Sequence, residues 1–151
     1  MSGERNLDRL LRHLAPELHD GVHVYCSFAD HRLPDGLQPL CTFREAEGLT
    51  AIVERSQAVA AGVPFVFEAR LVTLTIHSSL EAIGLLATVA TRLAAVGIPC
   101  NAIAAYHHDH ILVPVAQADQ ALSVLRGIAV GSVHEPSPSD DPVPLSPAWP
   151  A

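Results

Sequence analysis

The sequence predicts an α+β protein built on a ferredoxin-like βαββαβ sheet, and three observations carry that prediction. From Ala69 onward the apolar periodicity changes in the order strand, helix, strand, strand, helix, strand. Right-handed crossovers place both helices of such an order on one face of a four-stranded antiparallel sheet. The 151-residue chain is 49% hydrophobic and only 17% charged. A chain of this length hides about 68–70% of its unfolded surface, so it builds a core without staples.

Leu7, Leu10, Leu11 and Leu14 fall at helical spacing before Pro16, which predicts a short amphipathic helix over 4–14. Val22, Val24, Cys26 and Phe28 alternate along a strand, and Pro34-Asp35-Gly36 marks a turn. Returning strands are expected at 40–44 and 49–53, with a short helix at 56–61 closed by Gly62 and Pro64. The runs Phe65–Phe67 and Arg70–Ile76 are either one long strand or two strands meeting near Ala69. We place the domain boundary there.

Ser78-Ser79-Leu80-Glu81 has the S-x-x-E spacing of a capping box and predicts a helix from there to Val96, stopped by Gly97 and Pro99. Ile83, Leu86, Ala90 and Leu93 form one apolar stripe on it, and Leu85, Val89 and Val96 a second. A helix apolar on two sides packs against a sheet and against another helix. A strand at 98–105, a hairpin tip at 106–110, a return at 111–113, a helix at 117–126 and a closing strand at 128–133 complete the order. Ser, Pro and Asp dominate 136–151, which predicts a disordered tail.

Nine Arg and no Lys face sixteen acids, for a formal net charge of -7. That surface repels a phosphate backbone, so nucleic acid is not an expected partner. The most apolar stretch, 82–98, is broken by Thr88, Thr91 and Arg92 and falls short of the roughly 20 residues of a membrane span. No apolar signal region follows Met1, and the expectation is a cytoplasmic protein with no membrane partner. Cys26, Cys41 and Cys100 lack CxxC spacing and read as free thiols, with Cys26 and Cys41 on neighbouring strands.

Glu81-Ala82-Ile83-Gly84-Leu85-Leu86 and Leu93-Ala94-Ala95-Val96-Gly97-Ile98 resemble the ACT domain's helix start and helix end, with Ile83 where that family commonly has Pro. The longer phrases at 43–50, 77–85 and 106–114 are similar to a group of small bacterial proteins of tandem ACT type, over about 7–128. The resemblance implies two ACT-like units side by side, at 1–68 and 69–134, with the tail at 135–151 outside them. It implies a regulatory fold that binds small ligands, often amino acids, where ACT units meet.

Three groups of residues are candidates for that ligand. In His77-Ser78-Ser79-Leu80-Glu81, a helix N-terminus offers unpaired amides to a carboxylate, unless the capping box itself consumes them. Gly84 permits close approach or simply helix packing. At the turn near 44–48, Arg44 suits a carboxylate and Glu47 an ammonium, although turn charges are commonly only solvated. The likeness adds Gly48 and Thr50 to this group. In the third group, Asp109 also suits an ammonium, with His108 beside it and Asn101 in an otherwise apolar strand.

The alternative reading is a divalent metal on His107, Asp109 and His110. It supposes that His108 and Asp109 form a two-residue turn and that His77 or His23 completes the site. A third reading is a structural oligomerisation module. No Walker loop, G-x-S-x-G, G-x-G-x-x-G or H-E-x-x-H occurs, so neither an enzyme nor a cofactor is expected. The expected partners are an amino acid and a second copy of the chain.

Overall fold

The computed structural model describes residues 3–131. Its elements are α1 (Leu7–Arg12), β1 (Pro16–Leu18), β2 (His23–Phe28), β3 (Cys41–Glu45), β4 (Gly48–Glu54), α2 (Arg55–Ala60), β5 (Val66–Leu74), α3 (Leu85–Ala94), β6 (Asn101–Ala104), β7 (Asp109–Pro114) and α4 (Ala118–Gly131). A 3-10 turn, Val115–Gln117, leads into α4. All seven strands join one antiparallel sheet in the order β3-β4-β2-β5-β7-β6, with β1 also paired to β5.

Two ferredoxin-like units emerge from this single sheet by sharing strands. The N-terminal unit uses β2, β3, β4 and then β5 as its outer strand. The C-terminal unit uses β5 as its first strand, then β6 and β7, and takes β1 as its outer strand. The stretch Phe65–Ile76 is therefore one long strand at its centre, and the boundary at 68/69 falls inside a β5 that serves both units. Along one edge of β5, Leu18 pairs with Val72 and His23 with Ala69, so β1 and β2 form one strand interrupted at 19–22. A second irregularity lies between His23 and Tyr25, where Phe67 on β5 takes φ 57°. An extra residue in the left-handed region is how a β-bulge bends a strand.

The helices lie on one face. There Val72, Leu74, Ile111 and Val113 meet Leu85, Val89 and Leu93 of α3 and Ala121, Leu125 and Ile128 of α4, with Leu10 of α1 buried among them. The two stripes expected on α3 are not the buried faces: Ile83, Ala90 and Val96 are exposed, and one face made of Leu85, Val89 and Leu93 meets the sheet and α4. The N-terminal unit has a smaller cluster on that side, Val24, Cys26, Ala51, Val53 and Ala58. On the opposite face Ile52, Ala69, Leu71 and Leu112 are buried with Tyr25 and Phe67, whose rings meet edge to face at 5.8 Å. The sheet curls on this side, because a groove of about 610 Å³ is lined both by Cys41 and Phe43 of one edge strand and by Asn101–Ala104 of the other.

Four expectations are corrected here. The helix expected from Ser78 starts at Leu85, after a loop. The closing strand expected at 128–133 is helical up to Gly131, because β1 already occupies that place beside β5. Cys26 and Cys41 are not neighbours, since β4 runs between their strands; the three thiols are free. The hairpin turns one residue pair earlier than expected: the Ala105 amide donates to the His108 carbonyl at 3.1 Å, which leaves Tyr106 and His107 at the tip and Asp109 in β7. The tail at 135–151 lies outside the described residues.

Candidate functional site

A cavity of about 130 Å³ lies where the loop at 75–84 runs into α3. Ser78, Ser79, Leu80, Gly84, Leu85, Ala87 and Asp109 line it among others. Gly84 is the N-cap of α3 with φ 98°, and no side chain caps the helix. The first-turn amides of Leu85, Leu86 and Ala87 therefore have no partner within the helix, at its positive dipole end.

Asp109 supplies the opposite charge. Residues along β7 alternate between faces, so Asp109 points with Ile111 and Val113 toward the helices while His110 points to the opposite face. Asp109 is only 8% exposed. Burial pushes its carboxyl above the usual range, against the lowering influence of Ser78, His110 and His108. Ser78 Oγ donates to Asp109 Oδ2 at 3.4 Å. His108 Nδ1 donates to the Ile76 carbonyl at 3.2 Å, which ties the hairpin to the loop. The uncapped first turn of α3 and a buried acid thus line the same small space.

The capping box is not formed: Ser79 Oγ accepts from the Glu81 amide at 3.2 Å within the loop. His77 is exposed, its ring 5.8 Å from that of His107. Arg44 and Glu47 are exposed at the β3–β4 turn, four strands from β7 in the sheet. Gly48 has a steric reason of its own, since a Cβ there would lie 2.5 Å from the Phe28 carbonyl oxygen. Thr50 and Asn101 line the groove on the curled face, and Asn101 is exposed. The structure thus brings together Ser78, Ser79, Leu80, Gly84 and Asp109, with His108 behind them.

The seam between units, β2 against β5, is apolar on the curled face, and the cavity lies within the C-terminal unit. The expected metal ligands diverge: His107 sits at the exposed tip, Asp109 faces the cavity, and His110 Nδ1 bonds Thr73 Oγ1 at 3.0 Å on the other face. Among the described residues no group of three or more His, Cys, Asp or Glu side chains is placed to hold a metal. No described helix is long and apolar enough to cross a membrane.

Sequence reasoning missed the amides of Leu85, Leu86 and Ala87 because Ser78 and Glu81 imitate a helix start. Gly84, directly before a long apolar run, was the available signal. It also missed residues 3–7, which back the loop: the Glu4 amide donates to His77 O and the Ser79 amide to Glu4 O, each at 3.0 Å.

Sequence profiles described as ACT domain match residues 2–70 and 66–127, an overlap that falls on the shared strand β5. A solved structure from Vibrio cholerae, described as a protein of unknown function and possible transport protein, is 44% identical. It matches with a TM-score of 0.72 over 82% of this chain and 95% of that one. An Agrobacterium tumefaciens protein is 15% identical, with a TM-score of 0.65 over 77% of this chain and 89% of that one. The regulatory subunit of aspartate kinase from Thermus flavus is 11% identical, with a TM-score of 0.54 over 85% of this chain and 99% of that one. The last two likenesses concern the fold alone. No curated protein matches the chain.

Proposed function

From the premise that this chain belongs to the ACT-domain family, with two units in tandem, we propose that it is a non-catalytic regulatory protein that binds an amino acid in the cavity before α3. The ligand carboxylate takes the amides of Leu85–Ala87, and its ammonium takes Asp109. Ser78 bridges the two by donating to whichever carboxylate is nearer. The observation that carries this reading is the buried Asp109 in the same cavity as an uncapped helix start. A desolvated acid is costly unless a cation reaches it. The small volume favours a short side chain or one that projects into solvent.

We place the protein in the cytoplasm as a homodimer. Supporting the dimer is an apolar rim beside the cavity, where Leu80, Ile83 and Tyr106 are 68%, 85% and 75% exposed. Surfaces of this kind mark association sites.

A thermal-shift screen of the twenty amino acids at millimolar concentration tests the reading. A ligand at 100-fold its Kd adds about 2.7 kcal/mol to stability. The expected result is a shift with one small set of amino acids that disappears in Asp109→Ala. No shift with any of them excludes the proposal.

A further inference from the structure

We propose that residues 3–7 act as a strap that holds the cavity loop in its binding-ready form, so that strap order and ligand affinity are coupled. The proposal rests on the cavity reading above for its ligand arm only. Nearly every residue of the strap grips the loop. Glu4 bridges to Ser78 in parallel strand fashion, with the two backbone hydrogen bonds to His77 and Ser79. Gly3 lies so close that a Cβ there would be 2.6 Å from the Ser78 carbonyl carbon and 2.7 Å from the Ser79 nitrogen. Arg5 pairs with Glu81. Leu7 fills the space that a side chain at Gly84 would need, with its Cδ2 2.9 Å from that Cβ position.

The strap is itself held in shape. The Glu4 carboxylate accepts from the amides of Arg5 and Asn6 at 2.9 and 2.8 Å. Asn6 Oδ1 caps α1 by accepting from the Arg9 amide at 3.0 Å. From α1 the chain passes straight into β1, the outer strand of the C-terminal unit. A loop without regular structure loses conformational freedom when it closes on a ligand, and ordering it beforehand raises affinity without any new ligand contact. By reciprocity, a ligand that needs the ordered loop must also stabilise the strap.

Amide hydrogen exchange on the full chain tests this without any ligand. Gly3→Val forces the strap off the backbone of residues 77–79, and Arg5→Ala is the milder variant that keeps the fold if Gly3→Val does not. In the variants, exchange at the Ser79 and Ala82 amides should accelerate about tenfold, while β7 amides keep their protection. Unchanged exchange at Ser79 and Ala82 in a folded variant overturns the strap. In a second arm, wild type and variants are titrated with the equimolar pool of twenty amino acids. The expected outcome is an apparent affinity about tenfold weaker in the variants, with Glu4 amide exchange slowed by the pool in wild type. Equal affinity despite a loosened loop overturns the coupling. If the pool binds neither protein, the amino-acid reading fails while the exchange arm still decides the strap.

Discussion

The two units have the same strand order and differ in the segment that leaves their first strand. After β5 the C-terminal unit makes a loop and then α3, a ten-residue helix whose uncapped start lines the same cavity as Asp109. After β2 the N-terminal unit runs through residues 29–40 without a helix and goes directly to β3. Its helix-side core is correspondingly small, five buried residues against fourteen in the other unit. A shared strand order supplies a frame. A binding cavity also needs a helix end, because the unpaired amides come from there. On the function proposed above, the C-terminal unit would hold the site and the N-terminal unit would mainly complete the sheet.

The largest effect that would sharpen this contrast is in the cores. Leu93→Ala, at a fully buried position of α3, should cost about 3 kcal/mol in urea unfolding, within the usual range for such truncations. Val53→Ala, equally buried in the N-terminal unit, should cost about 2 kcal/mol, because it removes fewer methylenes. Val89→Ala, a fully buried valine of α3, is the size-matched partner, and a cost no larger than that of Val53→Ala would break the contrast between a dominant and a completing core.

Next in size is Gly84→Ala. The residue holds φ 98° and its new Cβ would press on Leu7, so about 1–2 kcal/mol of stability should be lost, together with ligand binding. A matching loss from Gly62→Ala, at φ 63° with open space around it, would show strain alone; only Gly84→Ala should also move the loop.

Two buried titrating groups set opposite pH trends. Asp109 has its pKa raised by burial, so its favourable contribution is complete below the unfolded value of about 3.9 and is lost as pH rises through the folded value. Asp109→Asn should therefore raise Tm at pH 7 and leave it unchanged near pH 3, while abolishing ligand binding. His23 sits at the seam with its Nδ1 unpartnered. Burial, and then the neighbouring His19, hold its pKa below the usual value against the pull of Glu54. Its folded state favours the neutral ring, so stability is full above the unfolded pKa of about 6.5 and falls as pH drops toward the folded value. His23→Phe should flatten that acid-side slope in a Tm series from pH 8 to 5.

The smallest effect belongs to Arg55→Ala, which breaks the Arg55–Glu68 pair at 2.7 Å between side chains that are each 48% exposed. Solvent screening leaves such a pair at about 0.5 kcal/mol or less, and a Tm shift of several degrees would show that the N-terminal unit leans on surface charge.

Much of the frame was legible in the chain. Alternation marked β2, and runs of strand-forming residues marked β4, β5 and β7, whereas the apolar run of α3 announced a packed helix but not which of its faces, Leu85, Val89 and Leu93, is buried. Ser78 and Asp109 were singled out for chemistry, and they meet. Their partners were harder to see. Ser78 and Glu81 have capping spacing, but Glu4 and Arg5 engage the same loop, and the helix begins only at Leu85. Thr50 and Asn101 carry polar groups on sheet positions, and nothing in their spacing shows that the curl directs them into a separate groove.

What the sequence by itself determined are the local quantities: which stretches alternate, where glycines break a helix, and how much apolar surface must be hidden. Those arise from side chains and backbone within a few residues of each other. The tertiary structure alone decided that β1 closes the C-terminal unit, that β5 serves both units, and that residues 3–7 lie against residues 77–84. Such pairings join residues 35 or more positions apart, and they are selected by which edge remains open and which apolar face remains uncovered once the local pieces exist.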